Sequence, residues 1–363
     1  MLTVILGAGA SYDSEPITAR LANTGSVASR YQWKPPLTYE LFDQNRAWFT
    51  TPPPDSVTAV LGHIRRGIEN GTLEETLEEL RSEVEEFPMR WRNIAGIQSW
   101  ISTTLTLITN SWTESLRNET CFVDMADRLL KWRSRHHEPI SVVTFNYDTL
   151  FEKAVQITTG DKRRFDEFEG YIGEDFRLFK PHGSIDWEYH GRTPEGRTTL
   201  EERPLTKSEL YNLPLRKVAG GRVKYLSVPA LAIPVTNKSE SDFISPPAHM
   251  KHMRQALQDT TALLVIGWQG AEQHFMQLVN GLVAPNTPTL VVCGGTKPDD
   301  NNEPQVDENG EIIYLGGTTI SNLKRLGGLT QVADAKTGFA EFLHQPTALK
   351  DWLESIAPNQ RRA

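Results

Sequence analysis

The chain has 363 residues and a net charge of −8, with 38% hydrophobic and 23% charged residues. That length suits one large domain with insertions or two smaller domains, and the acidic balance argues against a protein that grips nucleic acid along its whole surface. The longest apolar run, Ala262–Trp268, is too short to span a bilayer. Two cysteines, Cys121 and Cys293, rule out a disulfide framework and a four-cysteine zinc site. With no signal peptide ahead of "MLTVILGAGAS", a cytoplasmic protein of a reducing compartment is expected.

The chain opens on a short apolar strand, Thr3–Leu6, bounded by Gly7 and Gly9, and a polar, turn-rich stretch then runs to Pro35–Pro36. Residues 37–137 read as helical. "LTYELFDQNRAWF" places Leu37, Leu41, Phe42 and Trp48 near a 3.6-residue period, and "LEETLEELRSEVEEF" puts Leu73, Leu77 and Leu80 on one face opposite an acidic one. Two further helices follow, one long and mostly buried. Strands are then expected at 139–145 and Phe176–Lys180, a mixed segment at 188–260, and buried strands in "TALLVIGW" and "TPTLVVCGG" with a helix between them. "GFAEFLHQPTALKDWLESI" reads as a closing helix. Apolar strands ending at glycine or a polar residue and alternating with helices predict an α/β fold, a doubly wound parallel sheet. The expected organisation is a core from 1–36, 138–187 and 261–363, a helical insertion at 37–137 and a mixed insertion at 188–260. The densest basic stretches, "KWRSRHH" and "DKRRF", read as solvated helix ends or loops.

Four short stretches carry the chemistry. In "VILGAGAS" Gly7 and Gly9 permit a tight turn and close backbone approach before a helix, which suits an anion, although Tyr12 breaks the dinucleotide G-x-G-x-x-G pattern and a plain glycine turn fits as well. "TFNYD" ends a strand on Asn146 and Asp148. Either residue can cap the next helix, and in a parallel sheet a ligand sits outside such carboxyl ends. In "KPHGSIDW", His182 can accept a proton near neutral pH and Gly183 would let a ligand approach; a histidine that merely bonds in a turn is the alternative. "LLVIGWQGAE" breaks at Gly267 and Gly270, which suits exposed backbone amides or ordinary strand–helix punctuation.

In this order, GAGAS, T-x-N-x-D, HGS and a strand ending in IG resemble the sirtuin family, and most closely the zinc-less sirtuin-like NAD hydrolases of prokaryotic anti-phage defence. The resemblance covers the core strands but not 37–137 or 188–260. It implies a Rossmann-like sirtuin core in which Gly7, Ala8, Gly9, Ala10 and Ser11 hold the NAD pyrophosphate. It further implies that Asn146 and Asp148 flank the nicotinamide ribose, His182 touches the ribose hydroxyls as a base, and Gly267 lies under the adenosine half. Sirtuin deacylases carry Gln where this chain has Phe145, four zinc-binding cysteines after the histidine motif, and "GIPDFR" where "SYDSEP" stands here. These departures argue against protein deacylation and against zinc.

The resemblance thus implies an NAD glycohydrolase, with NAD as substrate, that yields ADP-ribose and nicotinamide. It implies a homo-oligomer restrained until a partner such as a HerA-type ATPase or a short Argonaute engages it, with no membrane attachment. Two other classes remain open: a nucleic-acid-acting effector, and a sensor that binds NAD or ADP-ribose without turnover.

Overall fold

The structure, a computed structural model, describes residues 1–22, 31–50, 52–84, 86–87, 90–166, 168–174, 176–192, 210–212, 225–235, 243–294 and 315–358. Much of the mixed segment expected at 188–260, and the glycine end expected at Gly295, lie outside them. In chain order the strands are β1 (Leu2–Leu6), β2 (Ile140–Thr144), β3 (Phe176–Phe179), β4 (Gly183–Arg192), β5 (Leu210–Asn212), β6 (Tyr225–Leu231), β7 (Ala262–Ile266), β8 (Thr289–Val292) and β9 (Val332–Asp334). Helices α1 (Ala8–Tyr12), α2 (Ile17–Ala22), α3 (Asp55–Glu69), α4 (Leu73–Ser82), α5 (Arg90–Ser115) and α6 (Cys121–His136) precede β2. They are followed by α7 (Leu150–Thr159), α8 (Phe168–Tyr171), α9 (Pro247–Gln258), α10 (Gln273–Leu282), α11 (Leu315–Arg325), α12 (Phe339–His344) and α13 (Ala348–Ser355). Among the described residues, no helix is long and apolar enough to cross a membrane.

The apolar runs LTVIL, ISVVT and ALLVI are buried at every position, as strands covered on both faces must be. They form the centre of a six-stranded sheet of order β3-β2-β1-β7-β8-β9, with every neighbouring pair parallel. Counted within the sheet, this is the 3-2-1-4-5-6 order of a doubly wound, Rossmann-like fold. Alternate side chains feed the two faces. Val4, Leu6, Val142 and Ile266 pack against Phe122, Met125 and Trp132 of α6 and Phe151 of α7. Ile5, Val143, Val265 and Val291 pack against Leu257 of α9 and Phe275 and Val279 of α10.

A third core joins α3, α4 and α5 to a small antiparallel sheet of order β5-β4-β6. Leu73, Leu77 and Leu80 are buried there, on the face that their spacing predicts. The helix α5 runs beside the start of β4: Ser102 Oγ donates to the Ile185 carbonyl (3.1 Å) and Gln98 Nε2 to the Leu231 carbonyl (2.8 Å). The helical insertion is therefore anchored next to the strand ends where His182 and Asn146 emerge.

Three local expectations change. Residues 37–50 form two 3-10 turns, Thr38–Phe42 and Ala47–Thr50, rather than a helix. The cause is Asp43, whose carboxylate accepts the Asn45 amide (2.9 Å) and holds the chain in a turn. The closing helix is split into α12 and α13 around Pro346, which cannot continue a helix. The strand β9, three residues at the sheet edge of which Ala333 is exposed and the other two half-buried, has too short a pattern to be found from sequence.

Candidate functional site

The order of the sheet reverses between β1 and β7, with β2 on the other side of β1. Register puts Leu6 opposite both Thr144 and Ile266. Residues 7, 145 and 267 therefore leave the sheet at one level, at the topological switch point where doubly wound sheets place their ligands. Four regions distant in sequence meet there.

The glycines serve close backbone packing. Gly7 N donates to the Ile266 carbonyl (3.0 Å) and Gly9 N to the Gly267 carbonyl (2.9 Å). A Cβ on Gly7 would lie 2.5 Å from the Gly267 carbonyl oxygen, and one on Gly267 would lie 2.1 Å from Ala10 N. Gly267 also has φ +59°, a left-handed conformation that side chains disfavour. Gly7 and the start of α1 are thus in direct backbone contact with the end of β7, with Ala8 and Gly9 half-buried at the surface of the contact.

Ser11 ties α1 to the end of β2. Asn146 Nδ2 donates to the Gly7 carbonyl (2.9 Å) and to Ser11 Oγ (2.8 Å), and Ser11 Oγ in turn donates to Asp148 Oδ2 (2.7 Å). The other Asp148 oxygen accepts the Leu150 amide at the start of α7 (3.0 Å), so Asp148 steadies that helix and faces Ser11 at once. Asn146 is 8% exposed, and its Oδ1 is buried with no hydrogen-bond partner among the described residues. A buried acceptor without a donor costs about 1–3 kcal/mol, and a ligand hydroxyl, amide or water would satisfy it.

His182 lies beside this network within an aromatic cluster. Its ring meets Phe145 edge-on at 5.0 Å, and Tyr147 and Phe243 at 6.3 Å each; it is 3% exposed. Phe145 also stacks on Trp268 at 5.3 Å, with the planes 8° apart. That stack joins the ends of β2 and β7 with an apolar wall on one side of the switch point. Burial pushes the Tyr147 hydroxyl above its ordinary range.

Gly183 differs from expectation. Its φ is +82°, and a Cβ there would lie 2.0 Å from the Ala230 carbonyl oxygen, so the space beside it is filled by β6 rather than open to a ligand. Sequence reasoning also missed two features. One is Ser11 as the bridge between Asn146 and Asp148, for which no local signal exists. The other is Trp268, for which the signal was Phe145, an aromatic residue at a strand end with no partner within its own segment.

Residues 140–312 match the family model described as a SIR2-like domain. No curated protein matches the chain. Among solved structures it is similar to a Sir2 homologue in complex with NAD, at 10% identity over 99% of this chain and 89% of that one, TM-score 0.34. It is similar to Sir2 bound to an acetylated peptide, at 12% identity over 97% and 93%, TM-score 0.34. A third is a variant Sir2 homologue in complex with ADP-ribose, at 10% identity over 90% and 91%, TM-score 0.33. The match to the SIR2-like model covers just under half of the chain, and β2, β3 and β7, with Asn146, Asp148, His182 and Gly267, lie within it.

Proposed function

We propose that this chain is an NAD glycohydrolase whose site lies at the switch point between β1 and β7. The observation that carries the reading is the buried, unpartnered Asn146 Oδ1, held in place by Ser11 and the Gly7 carbonyl and flanked by the Asp148 carboxylate. The SIR2-like match and the NAD and ADP-ribose complexes of similar proteins point to the same substrate. In this reading Gly7 and the residues of α1 through Ser11 face the pyrophosphate, and Gly267 lies beneath the adenosine half.

Nicotinamide in NAD is a cationic leaving group. As its bond to the ribose carbon breaks, the electron pair passes to the ring nitrogen and positive charge develops on the sugar. The Asp148 carboxylate lies close enough to Asn146 and Ser11 to lend a negative field there. Asn146 Oδ1 accepts a hydrogen from the ribose or from the attacking water. The water oxygen bonds to the ribose carbon and its proton leaves, with His182 as acceptor. The products are ADP-ribose, nicotinamide and a proton.

Such an activity needs restraint in a living cell. We place the chain in anti-phage defence, as a homo-oligomer released by assembly or by a partner such as a HerA-type ATPase or a short Argonaute. The test is NAD consumption, read as ADP-ribose and nicotinamide by chromatography. It compares wild type, Asn146→Ala and His182→Ala, each alone and with the product of a neighbouring gene. Turnover that both substitutions abolish is expected. Bound but uncleaved NAD would favour a sensor, and nucleic-acid degradation without NAD loss would favour a nuclease-type effector.

A further inference from the structure

We propose that Lys180 and Glu152 form a buried clasp that positions the Asn146–Asp148 segment against the His182 segment, so that both are positioning residues for the reaction proposed above. The inference rests on that reading for its catalytic meaning, and on geometry for the clasp itself.

The parallel ladder between β2 and β3 ends at the pair Val143–Phe179. Beyond it the two chains carrying Asn146 and His182 need another connection to stay in register. Lys180 supplies it. Its ammonium donates to Glu152 Oε1 (2.7 Å), to the Asp148 carbonyl (2.5 Å) and to the Tyr147 carbonyl (3.5 Å), one acceptor for each of its three protons. Its own carbonyl accepts Ser245 Oγ (2.6 Å) and Gly183 N (3.0 Å), so the residue is fixed at both ends. Lys180 is 0% exposed, two residues before His182, and precedes Pro181, which keeps its backbone extended.

A buried ion pair is poor value as a source of stability, because desolvation cancels most of the attraction, and apolar replacements of similar volume are often neutral or better. What this pair adds is directional: among the described residues Lys180 Nζ gives the one side-chain hydrogen bond to the Asp148 carbonyl, whereas the Tyr147 carbonyl also accepts Ile185 N (2.9 Å) and Ser184 Oγ (3.3 Å). Losing the clasp therefore frees Asp148 first, and with it the carboxylate bonded to Ser11.

The test is the double variant Lys180→Met/Glu152→Met, which removes both charges together and keeps side-chain volume. Its thermal midpoint is expected to stay near that of wild type. NAD turnover is expected to fall about 10²-fold in kcat with KM changed little, the scale that an ångström of misplacement brings. Turnover equal to wild type would overturn the clasp. If wild type itself never cleaves NAD, the NADase reading fails, and the clasp is then decided by amide hydrogen exchange. Faster exchange confined to 145–150 and 182–186, with 140–144 unchanged, supports it; unchanged exchange in those segments refutes it.

Discussion

The contact between the start of α1 and the end of β7 can be tested by replacing Gly267 with alanine. Two costs add at that position. The φ of +59° is left-handed, which costs a non-glycine residue about 1–2 kcal/mol. The new Cβ would lie 2.1 Å from Ala10 N and 2.4 Å from the Gly9 carbonyl carbon, which are backbone atoms and cannot swing aside. Overpacking of this kind costs about 1–3 kcal/mol, so the expected loss is about 2–5 kcal/mol, a large share of a typical domain's stability. Gly160 separates the two terms: its φ is +61°, yet nothing lies within 4 Å of its Cβ position, so Gly160→Ala carries the conformational term alone. Gly62 lies mid-helix in α3 with open space around it, and Gly62→Ala should stabilise by about 0.5–1 kcal/mol. Urea unfolding of the three variants against wild type gives the ranking. A Gly267→Ala loss no larger than that of Gly160→Ala would show that the two segments are not in backbone contact, and the placement of the site at the switch point would fall with it.

Ser11→Ala removes the hydroxyl that serves Asn146 and Asp148 together, leaving a buried donor and a carboxylate oxygen short of partners; a loss of about 1–3 kcal/mol is expected in denaturant unfolding, and a loss near zero would mean the bridge is not formed. Glu152 supplies a pH test. Burial lifts its carboxyl to about 7 against the attraction of Lys180, with Asp186 adding to the rise; Lys153 is a further charged group that interacts with it. The folded chain then holds a proton that the unfolded chain releases near 4.5, so stability falls as pH rises from about 4.5 to about 7, by at most about 1.4 kcal/mol per pH unit. In Glu152→Gln that component is absent, and stability curves for the two proteins that stay parallel across the window would refute the assignment.

The two basic stretches show what local reading can and cannot reach. Lys131, Arg133 and Arg135 of α6 and Lys162 and Arg163 beyond α7 line one groove of about 1050 Å³. Their convergence was invisible in the sequence, because it depends on α6 and α7 packing side by side. The reading as solvated helix ends or loops fits Lys131, which pairs with Asp127, and Arg135, which pairs with Glu354, whereas Arg163 is half-buried and donates to the Gly170 and Phe176 carbonyls.

The sequence by itself determined the central strands, because a five-residue run rich in Val, Ile and Leu that leads to a glycine or polar exit can be buried on both faces in few other ways. It also determined the buried face of α4, through the spacing of Leu73, Leu77 and Leu80, and the polar or glycine exits at Gly7, Asn146 and Gly267. Only the tertiary structure decided which exits are neighbours. Strand partners are chosen by packing between segments far apart in the chain, and Leu6 meets Thr144 and Ile266 with no local sign of either. The same holds for Ser11 and Asp148, bonded across 137 residues, and for Lys180, which a linear reading takes for the end of a strand. Gly183 was misread for the same reason, since the atom that demands a glycine there belongs to Ala230 on another strand.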